Sequence, residues 1–291
     1  MIVQLFDFPR RKTGSTTLDW NLYHKRRRQQ KQQRWRTGMT ISIPLLALIA
    51  SVIAWQNLQR ERAVNDDLCL LASPPRHHVV IMLDATDRFT TAQYRNIVSV
   101  IQQQLANLSP GDRLSLVNLF PKGNKTVISP LFSKCRPETG GDRMNATVNP
   151  KHQKKVYQEK FMTPLNLALK AIPGLKRANT TPLLEALHEL TIQYVSLHAG
   201  SQTEVILFSN MLNNTRYFSQ YRHNYSFSQL KKRNLASVLD MKSAWRDVDV
   251  VVYQFSEPDF ARYQDKRYTR FWTNYMQWAG VRSGNYTVKT I

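Results

Sequence analysis

The apolar positions of the chain form two kinds of pattern. Short runs at 78–83 (HVVIML), 113–120 (RLSLVNLF), 203–209 (TEVILFS) and 248–255 (VDVVVYQF) are nearly continuous, as expected of strands buried on both faces. Between them the spacing turns helical. In 90–108, Tyr94, Ile97, Val98, Ile101, Leu105 and Leu108 share one face. In 181–197, Leu183, Leu184, Leu187, Leu190 and Tyr194 do the same, with Pro182 in the first turn. Residues 161–172 and 267–280 read as further helices, the second closing at Gly280, and 285–291 as a last short strand. Strand and helix alternate, and the strands are apolar throughout. The pattern predicts an α/β domain over 76–291: a doubly wound, mostly parallel sheet with helices on both faces. Two polar stretches interrupt it. Residues 121–160, rich in Lys, Asn, Gly and Pro, read as an excursion out of the core, and tyrosine-rich 211–245 reads as a second insertion.

Ahead of the domain, no charge occurs between Arg36 and Arg60, and Trp35 and Trp55 flank the apolar part of that window. Such a window is long enough, at roughly 20 residues, to span a bilayer, and aromatic flanks suit its interfaces. Residues 38–58 are therefore expected to form a transmembrane helix. Residues 1–37 would be a basic tail and 59–75 a juxtamembrane stalk. The net charge of +21 is uneven: ten lysines and arginines precede residue 39 against Asp7 and Asp19. The positive-inside rule then leaves the tail in the cytoplasm and exports the domain. A cleaved signal peptide fits poorly, because the basic region is long and no small-x-small site follows promptly. A buried helix remains the other alternative. The Gln-rich tail suggests a bacterial inner-membrane protein with a periplasmic domain. The segment KRRRQQKQQRWR could bind anionic lipid or nucleic acid, or serve only to orient the chain. Nucleic-acid binding is not expected of the exported domain, where the charge is thinly spread.

Cys69 and Cys135 both follow the anchor. In an oxidising compartment a disulfide is the expected state; two separate buried thiols are the alternative, and no zinc-ligand spacing accompanies them. Seven N-x-S/T sequons occur, including Asn179 and Asn213, which would matter only in a glycosylating host.

Ligands of doubly wound sheets sit beyond the carboxyl ends of the strands. Three polar turns are expected there: Asp84-Ala85-Thr86-Asp87-Arg88, Asn179-Thr180-Thr181-Pro182 and Ser209-Asn210. Together they make an oxygen-rich edge suited to Mg²⁺ or another divalent cation. On these residues the chain resembles von Willebrand factor A domains, whose metal-dependent adhesion site uses D-x-S-x-S, a Thr from a second loop and a later Asp. The resemblance implies that Asp84, Thr86, Thr181 and Asn210 form a degenerate metal site. Arg88 stands where the motif has its last Ser, and Asn210 where it has Asp. Three readings stay open: a weakly bound ion, Arg88 in the place of an ion, or an Asp87/Thr90 helix cap with no ion at all.

The resemblance also implies a protein-binding module rather than an enzyme, and the expected anchor alone suggests its partners: other subunits of a membrane-associated envelope complex (conjugation, secretion or defence). Tyr217, Phe218, Tyr221, Arg222 and Tyr225 supply the aromatic and arginine content typical of binding hot spots, unless that loop folds back onto the domain. The competing enzymatic reading is a metal-dependent hydrolase using Asp84 and Asp87. It needs a second convergent carboxylate or base, which the other strand ends do not offer. His188 lies among leucines, Glu185 and Glu189 fit a solvated helix face, and no G-x-S-x-G occurs.

Overall fold

Val79, Ile81 and Leu83 point to one face of the first strand, Val80 and Met82 to the other, and all five are buried. A strand alternates its side chains, so only a strand covered on both sides needs apolar residues at every position. The computed structural model describes residues 23–28, 31, 44–56, 63–122, 125–140, 149–196, 200–222, 225–232, 245–256 and 258–291. It divides the chain into two units, Met1–Arg60 and Glu61–Ile291.

The second unit is built on a six-stranded sheet of order β3-β2-β1-β4-β5-β6. β1 (His77–Asp84) lies between β2 (Arg113–Lys122) and β4 (Gln202–Ser209), parallel to both. β5 (Val248–Gln254) and β6 (Tyr286–Thr290) continue in parallel on one side. β3 (Lys125–Cys135) closes the other side, antiparallel to β2 with a register shift at Leu116/Val117. On one face Val79, Ile81 and Leu83 pack with α1 (Thr91–Asn107) through Ile97 and Ile101, and with α3 (Thr163–Ala171) through Leu165. A short helix, α2 (Pro150–Val156), reaches α3 through the π-helical turn Tyr157–Met162. On the other face Val80 and Met82 meet Leu183 and Leu187 of α4 (Leu183–Leu190) and Phe271 and Tyr275 of α7 (Lys266–Trp278). Two short helices, α5 (Phe227–Lys232) and α6 (Pro258–Ala261), lie between β4 and α7 in the chain.

The doubly wound sheet is the one expected, but three segments differ from the sequence reading. Residues 121–160 are not simply an excursion. Eleven residues of the stretch form β3, in which Ile128, Phe132 and Cys135 are buried. Its Pro130, Ser133 and Lys134 break up the apolar run, as an edge strand tolerates. The segment read as a stalk is also part of the unit. The Cys69–Cys135 disulfide joins it to β3, Asp67 pairs with Arg113 at 2.9 Å, and the Cys135 amide donates to the Asp67 carbonyl. The insertion at 211–245 buries Met211, Leu212, Phe218, Leu230 and Trp245 in the core; residues 233–244 lie outside the description.

In the first unit, residues 44–56 are helical and exposed. Among the described residues no helix is long and apolar enough to cross a membrane. Residues 38–43 and 57–58 of the expected span, and most of the basic tail, lie outside the description.

Candidate functional site

β1, β4 and the segment before α4 all end at the same edge, which brings Asp84, Thr86, Thr181 and Ser209 together. The Thr86 hydroxyl donates to Asp84 Oδ1 at 2.6 Å, and the Thr86 amide reaches the same oxygen at 3.3 Å. Ser209 Oγ donates to Asp84 Oδ2 at 2.6 Å. Thr181 Oγ1 lies 3.0 Å from Thr86 Oγ1 and extends the network to the second loop. All four side chains are buried. Burial pushes the Asp84 carboxyl above its ordinary value; the Ser209 and Thr86 hydrogen bonds oppose the shift, and the charge of Asp87 adds to it. Both carboxylate oxygens are thus satisfied from within the protein.

Asn210 does not join this network. Its amide donates to Asp87 Oδ2 at 3.0 Å, and its Oδ1 accepts from the Leu212 amide at 2.9 Å. Ser209, its neighbour in the same turn, makes the contact to Asp84 instead. Strand alternation explains the exchange, since one step along the chain reverses the direction of the side chain. Arg88 is exposed, and among the described residues no ion pair links it to Asp84. The charge at Asp84 is met by hydroxyls rather than by a guanidinium. Thr90 does cap α1: it accepts from the Gln93 amide, and the Gln93 side chain returns the bond. Asp87 accepts from the Asn210 amide group. Asn179 and Thr180 of the second turn are exposed and stay outside the cluster.

The loop after β4 is held by groups that the sequence pattern did not mark. Met211 adopts φ 56°, a left-handed conformation that costs a residue other than Gly about 1–3 kcal/mol. The Met211 amide donates to Ser209 Oγ at 2.8 Å, and its carbonyl accepts from Trp272 Nε1 at 2.8 Å. The Asn210 carbonyl accepts from Gln264 Nε2 and the Tyr268 hydroxyl. Asn213 is buried and makes three further bonds. Its Oδ1 accepts from the Leu184 amide in the first turn of α4, its amide group donates to the Phe218 carbonyl, and its backbone N–H meets Gln220 Oε1. Thr181 and Asn214 exchange backbone bonds at 2.9 and 2.8 Å, which join the second and third loops. The aromatic, donor-bearing face of α7 was visible in the sequence only as core.

The tyrosine-rich segment divides in two. Phe218 is buried against Phe271, Tyr225 packs on the same ring, and Tyr221 meets Tyr263 at 4.8 Å. Tyr217 and Arg222 are exposed, and Arg216 lies over the Tyr217 ring at 4.3 Å. Tyr221 still belongs to the site: its hydroxyl is pushed up to about 12 by burial and then by the charges of Asp87 and Asp84.

As a cation site, the cluster fits in donor type. Asp84, Thr86, Thr181 and Ser209 offer only oxygen, as hard divalent ions require, but they include a single carboxylate. Among the described residues no group of three or more His, Cys, Asp or Glu could hold a metal.

No protein-family model matches the sequence, and no match is found among curated proteins. Among solved structures the chain is similar to the VWA domain of SpRpn10, at 12% identity and a TM-score of 0.37, covering 74% of this chain and 87% of that one. It is also similar to BatB, titled a conserved hypothetical protein, from Bacteroides thetaiotaomicron, at 12% identity and a TM-score of 0.37, covering 74% and 90%. The strand order of the sheet, and the Asp84/Thr86, Thr181 and Ser209 loops meeting at one edge, agree with the α/β architecture that the resemblance to von Willebrand factor A domains implies.

Proposed function

We propose that the chain is a membrane-anchored protein-binding module whose carboxyl-end edge, around Asp84 and Tyr217, is the contact surface. The observation that carries this reading is the closed network on Asp84. A buried acid with both oxygens saturated by Thr86 and Ser209 is organised as structure, with no nucleophile–base pair beside it. Asp84 and Asp87 do not form a paired acid and base, since Asp87 is exposed and bonded to Asn210. We read the chain as non-enzymatic on this ground. A divalent cation, if bound, would be held by Asp84, Thr86, Thr181 and Ser209 and would supply positive charge at the edge. With one carboxylate its affinity would be low.

Anchoring is supported by 44–56, where Leu45, Leu46, Leu48, Ile49, Val52, Ile53 and Trp55 are all exposed. A helix apolar on every side needs a nonpolar surrounding. The basic tail argues that the tail is cytoplasmic, and the disulfide argues that the domain lies in an oxidising compartment, here the bacterial periplasm. Partners are then other subunits of an envelope complex.

The test is a photoreactive amino acid placed at Tyr217 in the full chain, in cells. A discrete adduct of higher mass at Tyr217, with none from the same probe at exposed Leu167, is the expected result. Equal labelling at both positions, or none at either, would remove the binding-surface reading.

A further inference from the structure

The three loops at the carboxyl-end edge carry Arg88, Lys176, Arg177, Arg216 and Arg222 against Asp87, and the basic five are all exposed. Among the described residues none of the five forms an ion pair. Cations left exposed and unpaired on one edge are a surface that attracts anions.

Two of them share a pocket. A hollow of about 220 Å³ is walled by Ala85, Asp87, Arg88 and Phe89 of the first loop, and by Pro173 and Arg177 of the second. The Ala178 amide donates to the Thr86 carbonyl at 3.1 Å, so the two loops are pinned together and each supplies one arginine to the lining. The volume lies below the roughly 300–1,000 Å³ of cofactor and drug sites and suits a single side chain. Lys176 turns elsewhere, over the Phe120 ring at 6.0 Å.

We propose that this pocket receives an acidic side chain, Glu or Asp, of a partner protein, clamped between Arg88 and Arg177. This rests on the reading of the edge as a protein-binding surface and names the chemistry that the surface selects. Guanidinium forks match carboxylates in shape as well as charge. Charge decides between a carboxylate and a phosphate. Two arginines and Asp87 leave the pocket one positive charge in excess, which a carboxylate neutralises. A phosphate dianion would overfill it, and a nucleic-acid strand would bring further charges toward Asp87. The position that departs from the adhesion motif thereby gains a role: Arg88 faces outward to a ligand.

The experiment uses the full chain in detergent micelles and a fluorescein-labelled hexaglutamate peptide, read by anisotropy at low and at physiological salt. A hexaglutamine peptide and a single-stranded oligothymidine of equal charge are the comparison probes. Salt-sensitive binding of hexaglutamate is expected, weakened at least tenfold by the double charge reversal R88E/R177E. R216E, outside the pocket, should change it less than threefold. Because the two arginines are exposed, folding should survive, and the milder R88Q/R177Q, with the same thermal melt as the wild type, should also lose binding. Unchanged affinity in both double variants, or oligothymidine binding as tightly with the same dependence on Arg88 and Arg177, overturns the proposal. A Tyr217 adduct that forms while the double variants keep full peptide affinity would leave the binding face standing and remove only the acidic recognition.

Discussion

The two ends of the sheet solve the same problem by opposite means. Each holds a residue other than glycine in the left-handed region, Leu68 at one end and Met211 at the other. At the amino end the chain is fixed covalently and ionically, by Cys69–Cys135 and Asp67–Arg113. At the carboxyl end it is fixed by hydrogen bonds, from Asn213, Trp272, Tyr268, Gln264 and Ser209, and by the burial of Met211 and Leu212. The hollow at the amino end is larger, about 820 Å³, but its charges are mixed: Arg76 and His77 face Asp112 and Glu138. Asp112 is already engaged by the Ser109 and His77 amides. The smaller pocket at the other end keeps its arginines unspent.

The comparison can be broken most strongly at the disulfide. It closes a loop of 66 residues, and C69A/C135A should lower stability by about 4 kcal/mol in urea denaturation. The folded fraction should keep its hexaglutamate affinity, because the staple and the arginine pocket lie at opposite ends of the strands. A loss below ~1 kcal/mol would mean that the amino end is held by its other contacts.

Next in size is N213A. It leaves the Leu184 amide of α4 without its acceptor and takes one of three donors from the Phe218 carbonyl, which keeps the Thr215 amide and hydroxyl, at a cost of about 3 kcal/mol. Hydrogen exchange at the Leu184 amide should accelerate more than at β1. Uniform acceleration across the domain would deny the loop a local anchor.

N210D should cost about 2 kcal/mol without metal, because a second carboxylate would replace the donor facing Asp87. Millimolar Mg²⁺ should restore the melting temperature of this variant while moving the wild type by less than about 1 °C. A large shift in the wild type would mean that the Asp84 cluster binds the ion as it stands.

The smallest effect is a slope. Burial holds the folded Asp84 carboxyl above its ordinary value of 3.8, so its contribution to stability is fully present below 3.8 and is lost as pH rises through the folded value. D84N should lack this component. Glu185 and Glu204 are shifted upward by burial with the same sign, so a residual slope should persist in both proteins. Identical slopes for wild type and D84N, from melts between pH 4 and 7, would contradict the burial of an ionisable Asp84.

The parallel strands were legible because burial on two faces forces apolar residues at every position, as in HVVIML. β3 was not, because an edge strand may carry Pro130, Ser133 and Lys134 without losing its ladder. The Asp84, Thr86 and Thr181 cluster followed from a spaced motif. The exchange of Asn210 for Ser209 did not, since spacing cannot say which of two adjacent side chains turns inward. Arg88 was visible as a departure from the motif, but its direction needed the fold. Of the residues expected to bind partners, Phe218 and Tyr225 pack inward on Phe271 of α7, and Tyr221 packs on Tyr263 just ahead of that helix. Composition alone does not separate a ring that contacts a partner from one that contacts its own helix.

Asn213 also bears on how the protein can be made. With Thr215 it forms an N-x-T acceptor, and glycan transfer precedes completion of folding in the eukaryotic secretory pathway. A sugar on its amide nitrogen would occupy the atom that must reach the Phe218 carbonyl, at a fully buried position. Material secreted from a glycosylating host should therefore be trapped unfolded in proportion to occupancy at this one asparagine, whereas a bacterial host imposes no such toll.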